Sequence, residues 1–375
     1  MTAPDWRTQV EELQARAARQ RPGEAKVMAL EEAARMAEVH GDLALAFEVR
    51  DALIDAATFG GYPDKALVAF AWCRAQQKKH PDRFDDGLLL WKQKWVVGRL
   101  DEFPHISRPK IQEALADIED TYARASAGKR AVLKLRYQTA RDMGDAAEAE
   151  AYWAQWVGAP RDHLTDCPAC ELDDEIDYHI DRGEYLRAWQ KAAPILQGHQ
   201  GCAEVPHLTY GSLLYPLFKL GELDEALRFH QLGYPLIHRN RDFLATVGEH
   251  LEFLVLTDNL APALALFERH LGWALDHASH RDRFTFLAAA SFLWSRLQAA
   301  DRETVPLRLP KGFALYQAQG AYDTQAVLGW VKAQAQQLAA RFDARNGTSR
   351  FQALLERTAQ LPGEVLPCPL PSRGR

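Results

Sequence analysis

Three cysteines carry the clearest chemistry in this chain. Cys167-Pro-Ala-Cys170 sets two thiols three residues apart, and Cys202 follows 32 residues after Cys170. Two thiolates at that spacing can grip one zinc ion at about 2.3 Å each, and a closed tetrahedral site then needs two more ligands. Cys202 is the third. For the fourth, His207 lies five residues after Cys202, just inside a helix opened by Pro206, where a side chain is held more firmly than in a loop. His199, three residues before Cys202, is the second choice, and His163, four before Cys167, is a further one. Such a zinc ion is structural: it pins the break at residues 158–170 to the following hairpin and leaves no position open to water. Two rival readings stay open. A helix N-terminus lowers a thiol pKa, so Cys167 and Cys170 could form a redox dithiol, although redox Cys-x-x-Cys motifs usually follow a strand. Alternatively the three thiols pack separately.

Other residues offer weaker chemistry. The five cysteines are an odd number, which excludes a fully paired disulfide framework. Cys73 falls on an apolar helix face and reads as core, and Cys368 lies in a proline-rich end. Eight of the thirteen histidines fall between residues 199 and 280. Among them His230, His238, His250, His270, His277 and His280 read as surface and boundary residues, because no spacing of the i, i+4 kind with a carboxylate supports catalysis. The basic stretch His238-Arg239-Asn240-Arg241 reads as a solvated turn. The acidic residues Glu171, Asp173, Asp174 and Glu175 open a helix, where the macrodipole favours them. The tryptophans fall mostly at helical spacing and read as packing between helices. There is no phosphate-binding glycine loop, nucleophile elbow or His-Glu-x-x-His.

The elements that must position these residues announce themselves through a repeat. A small residue at a turn, an apolar residue two further on and an alanine three after that recur along the chain. Examples are Gly221-Glu-Leu223-Asp-Glu-Ala226, Gly183-Glu-Tyr185-Leu-Arg-Ala188, Gly144-Asp-Ala146-Ala-Glu-Ala149 and Gly41-Asp-Leu43-Ala-Leu-Ala46. Asp258 holds the same place before Leu260 and Ala263, and Gly61 precedes Ala66. From Gly144 the intervals are 39, 38 and 37 residues. A period of this size marks a solenoid of helical hairpins. The spacing predicts helices at 5–20, 26–40, 42–58, 63–80, 86–98, 108–126, 129–143 and 145–157. After the break they resume at 171–182, 184–197, 206–220, 222–236, 241–257, 260–276 and 281–300. Two more follow, at 322–343 and 348–360. No sheet is expected, since alternating β-branched residues are almost absent. The resulting division is repeats over 1–157, repeats with the Cys-x-x-Cys junction over 158–300, capping helices over 301–360, and a mobile tail over 361–375.

The stretch Tyr210–Leu213–Leu217–Gly221–Leu223–Ala226 resembles the tetratricopeptide repeat, as does Gly144–Ala149–Trp153. The likeness covers residues 26–276 and is loose, with a period above 34 and with aromatic and proline positions often replaced. With its central Cys-Pro-x-Cys, the whole chain is also similar to uncharacterised bacterial proteins containing such repeats, a likeness that implies no specific activity. The resemblance implies an all-α superhelical solenoid of antiparallel hairpins and a concave groove lined by the first helix of each. Anchored on the turn glycines, the lining is Glu31 and Arg35; Lys92; Lys134, Gln138 and Arg141; Asp173 and Asp177; Tyr215 and Lys219; and Glu252. The other reading of these positions is the ordinary polar face of a helix.

Composition bounds the function. The net charge of −6 argues against a general nucleic-acid binder. No apolar run reaches the length of a membrane span, and residues 1–21 hold no signal-peptide core, so the expected setting is soluble and cytoplasmic. Asn346-Gly347-Thr348 then reads as a helix stop and cap rather than a glycosylation acceptor. The expected function is a protein- or peptide-binding adaptor with a structural zinc ion and no enzymatic activity. The alternatives are a redox- or metal-responsive regulator using Cys167, Cys170 and Cys202, and an enzyme with its site in the groove.

Overall fold

The recurring turn residue marks one backbone motif. The computed structural model describes residues 5–370, the side chain of Asp86 excepted. Gly41, Gly61, Gly144, Gly183 and Gly221 all take positive φ, between 71° and 84°, and Asp258 takes 56°. At each turn the next residue's N–H donates to the carbonyl five residues back: Asp42 to Ala37, Tyr62 to Ala57, Asp145 to Ala140, Glu184 to His179, Glu222 to Leu217 and Asn259 to Leu254. This is the Schellman closure of a helix C-terminus, which needs a left-handed residue and therefore selects glycine. The alanine of the signature closes the first α-helical bond of the following helix, as Ala226 does to Glu222. Ala46, Ala66, Ala149, Ala188, Ala226 and Ala263 are all buried.

The chain forms two compact units, Met1–Thr165 with Asn240–Asp242, and Asp166–Arg239 with Phe243–Arg375. The first carries α1 (Trp6–Arg19), α2 (Glu24–Val39), α3 (Leu43–Thr58), α4 (Pro63–Lys79), α5 (Leu90–Val97), α6 (Arg108–Arg124), α7 (Lys129–Met143) and α8 (Ala146–Gly158). Helices α1 to α4 pack each on the next, and α7 packs on α8. Val27, Leu30, Phe47 and Ile54 belong to one buried cluster of this unit, and Ile111, Leu115, Ile118 and Leu135 to another. Arg99 holds Asp242 by two hydrogen bonds of 2.8 and 3.1 Å.

The second unit carries α9 (Pro168–Asp181), α10 (Tyr185–Lys191), α11 (Ala193–Leu196), α12 (His207–Ser212), α13 (Leu214–Leu220), α14 (Leu223–Ile237), α15 (Leu244–Leu256), α16 (Leu260–Asp276), α17 (His280–Ala299), α18 (Thr324–Asn346) and α19 (Arg350–Gln360). Two expected helices are broken. Pro194 has no N–H for Gln190, which parts α10 from α11, and Pro216 has none for Ser212, which parts α12 from α13. Helix α9 begins at Pro168, three residues earlier than its apolar periodicity indicates.

The expectation of no sheet is corrected: β1 (Thr304–Pro306) and β2 (Ala321–Asp323) pair antiparallel, with Val305 opposite Tyr322. Three-residue strands are too short to show a period of two. The second strand leads directly into α18, where Asp323 caps the helix by accepting from the Ala326 N–H at 2.7 Å. The structure is otherwise all-α, and among the described residues no helix is long and apolar enough to cross a membrane. The tail expected to be mobile is instead docked as far as Leu370, with backbone bonds from Leu366 to Leu256 and from Cys368 to Thr257. The remaining residues of that expected tail, 371–375, lie outside the described residues.

Candidate metal centre

Cys167 is the N-cap of α9, with Pro168 at the first helical position and Cys170 at the third. The Cys167 sulfur accepts from the Cys170 N–H at 3.4 Å, taking the place of the usual oxygen cap. This puts both thiols at the helix start, Sγ to Sγ 3.2 Å. Helix α9 then runs away from them, the left-handed Gly183 reverses the chain, and α10 packs back along α9. The loop that follows holds Cys202, whose N–H bonds to the Val205 carbonyl at 2.9 Å and whose sulfur accepts from the Glu204 N–H at 3.5 Å. Its Sγ comes within 3.3 Å of Cys170 Sγ. All three sulfurs lie within 4.8 Å of one another, and among the described residues this is the one such group of cysteine, histidine or carboxylate ligands.

Cys167 and Cys170 are half-buried and Cys202 is exposed. Burial pushes the Cys170 thiol far up, and hydrogen bonds to Cys167 and Cys202 and their charges push it further. The Cys170 thiolate is therefore disfavoured here unless a cation compensates it. A metal ion would supply that charge, with the N-terminal dipole of α9 adding to it. Tetrahedral zinc at about 2.3 Å from each sulfur sets sulfurs about 3.8 Å apart, so closing on an ion asks Cys170 to part from each of its two neighbours by about half an ångström.

The histidines do not join this group. His207 is the first residue of α12, stacked on Phe243 with ring centroids 5.5 Å apart, and its buried Nδ1 has no hydrogen-bond partner. Burial lowers its pKa. His199 is exposed, and His163 is an exposed residue of the first unit.

The residues that the repeat resemblance assigns to a groove have varied fates. Arg35 is exposed and paired with Glu32 at 2.6 Å. Lys65 takes Glu31, and Lys92 bridges Asp51 and Asp55 at 2.7 and 3.0 Å. Lys134 is buried among the apolar residues of α7, which removes it from any solvent-facing lining. Gln138 and Asp177 are half-buried, and Arg141 pairs with its neighbour Asp142 at 2.9 Å. Asp173 is buried and accepts from the Thr209 hydroxyl, tying α9 to α12. Tyr215, Lys219 and Glu252 meet the chain's own C-terminal region: Tyr215 and Lys219 bind Glu364, and Glu252 binds Arg357.

The histidines read as surface residues need correction too. His230, His250, His270 and His277 are buried. His230 and His250 meet through their Nδ1 atoms, and His270 Nε2 meets the Tyr234 hydroxyl at 3.0 Å. The available signal was the largely apolar stretch Leu251, Phe253, Leu254 and Val255 that follows His250 on α15. Comparison with protein-family models and with curated protein sequences finds no match for this chain.

Proposed function

We propose that the protein is a helical-repeat scaffold of the tetratricopeptide kind that binds a protein or peptide. One structural zinc ion, held by Cys167, Cys170 and Cys202, joins α9 to the loop before α12. The single observation that supports the metal reading is the convergence of three sulfurs from two separate segments within 4.8 Å of one another. The fourth position falls to His207, whose buried Nδ1 lacks a partner, with His199 as second choice. Ligation by His207 requires its ring to leave Phe243. The scaffold reading draws on the recurring hairpin turn and on the lack of any catalytic motif in the sequence. Elemental analysis of protein purified without chelator tests the metal: one zinc per chain is expected, and a metal-free chain with three freely titrating thiols in the cluster refutes it. Affinity capture from the native host tests the scaffold.

The exposure of Cys202 beside Cys170 favours a second reading, a redox-responsive regulator in a reducing compartment. Two thiols and one hydrogen peroxide give a disulfide and two waters. Cys170 can pair with either neighbour, and a bound metal ion is released. Thiol counts and metal content before and after mild peroxide separate the two readings.

A further inference from the structure

The chain's last described stretch behaves like a bound peptide. From residue 365 to 370 there is no helix or turn. The Leu366 N–H donates to the Leu256 carbonyl at 2.9 Å, and the Cys368 N–H to the Thr257 carbonyl at 3.0 Å. Those two carbonyls close the C-terminal end of α15, where no intrahelical donor remains. Asn259 completes the pattern with its side-chain amide. Its Nδ2 donates to the Cys368 carbonyl at 2.9 Å, and its Oδ1 accepts from the Leu370 N–H at 3.0 Å.

The segment thus presents the N–H groups of alternate residues, 366, 368 and 370, to the second unit. The residues between them include Pro367 and Pro369, which have no N–H to lose and hold the backbone open in advance. At the head of the run Glu364 accepts from the Tyr215 hydroxyl at 3.2 Å and from Lys219 at 3.1 Å. Arg357 lies over the Tyr215 ring at 4.2 Å and is itself held by Glu252 at 2.8 Å. The fully buried Leu361 precedes the run, Val365, Cys368 and Leu370 are only partly buried against the core, and Leu366 is 49% exposed. Beyond Glu364 two hydrogen bonds go to backbone carbonyls and two to the Asn259 amide. Another extended apolar segment of the same form can make these bonds and the packing contacts of Val365, Cys368 and Leu370.

We propose that residues 364–370 are the built-in occupant of a site for an extended peptide. The site is formed by Lys219, Tyr215, the end of α15 and Asn259. Its external partner is a peptide segment with an acidic residue followed by a proline-interrupted apolar run. This deepens the scaffold reading and rests on it, naming the peptide and the place. The tethered segment competes at an effective concentration in the millimolar range, which masks the site until a partner of higher affinity or local concentration arrives.

The test uses the full chain. A fluorescent peptide with the sequence of residues 362–371 is titrated against the unmodified protein and against a chain carrying Glu364→Lys and Leu370→Asp. The altered chain is expected to bind at least a hundredfold tighter. Adding Lys219→Glu to it should weaken that binding about tenfold and restore binding of a peptide carrying Glu364→Lys. Equal binding to both chains, or none to either, overturns the proposal. Hydrogen exchange on the unmodified protein decides it independently of any variant's folding. The Leu366, Cys368 and Leu370 amides are expected to exchange through local opening, and exchange only with global unfolding makes the segment an integral part of the fold. A natural partner captured equally by both chains overturns this proposal while leaving the scaffold reading standing.

Discussion

His230 and His250 face each other through their Nδ1 atoms, 3.0 Å apart, in the interior of the second unit. One ring must donate and the other accept, so the pair cannot take two protons without breaking its bond. Burial holds His230 at about 4 and His250 well below its ordinary value, the latter also feeling His230. His270 sits at about 3, lowered by burial and then by Arg269 and His238. All three are depressed in the folded chain, so the unfolded chain binds more protons below the ordinary pKa of 6.5. The contribution of these histidines is therefore expected to be intact above about pH 6.5 and to fall as pH drops towards 4. It is opposed by the buried Glu249, which burial raises to about 8 and which favours the folded chain as pH falls. The loss from the histidines is roughly 2 kcal/mol each by pH 5. Urea midpoints at pH 7, 6 and 5 measure it, and His250→Gln should flatten the slope by about a third.

Removing one thiol tests the division of labour in the cysteine cluster. Cys170 neighbours both other sulfurs, so Cys170→Ser should abolish metal retention, while Cys202→Ser should leave a two-thiol site weakened at least tenfold to hundredfold. Acidification should release the ion, because each ligating thiol must be deprotonated. Chelator competition followed by elemental analysis reads all three effects.

The turn glycines separate backbone strain from crowding. At Gly221 an added Cβ meets nothing within 4 Å, so Gly221→Ala should cost only the left-handed conformation, about 1 to 2 kcal/mol. At Gly128, with φ 80°, the same atom would lie 2.0 Å from the ring of the buried Tyr122. Gly128→Ala should therefore cost at least twice as much. Denaturant midpoints compare the two.

Arg130 offers a sharper loss within the first unit. Its buried guanidinium donates to the Trp156 carbonyl at 2.9 Å and to the Ala159 carbonyl at 2.6 Å, closing the C-terminal end of α8. Arg130→Met keeps much of the volume but strands those carbonyls, and a loss of about 2 to 4 kcal/mol is expected in thermal or urea unfolding.

What the sequence made legible follows from which residues the backbone physics restricts. The hairpin turns were readable because a left-handed position selects glycine, and Asp258 was found only because its flanking Leu260 and Ala263 kept the pattern. Two further turns closed the same way, at Ser126 and Asp301, both with φ 53°, went unseen because neither residue is glycine. Their bonds, Ala127 to Tyr122 and Arg302 to Leu297, are of the same kind. The three cysteines were legible as a cluster because a hairpin returns its ends together. The buried histidines were not, since burial of a polar ring depends on how α14, α15 and α16 meet. Nor was the docking of the tail, which depends on where the fold places Asn259, Tyr215, Lys219 and the end of α15.

The order of the cluster along the chain sets its order in time. Cys167 and Cys170 leave the ribosome ahead of Cys202, which follows Cys170 by 32 residues. At about 5–20 residues per second that is a gap of roughly two to six seconds. Throughout that interval the nascent chain carries a lone dithiol at a helix start, and the third sulfur arrives only once the whole of α9 and α10 has been synthesised. A growing chain is thus exposed to oxidants and to stray metal ions in a form that the finished protein never presents.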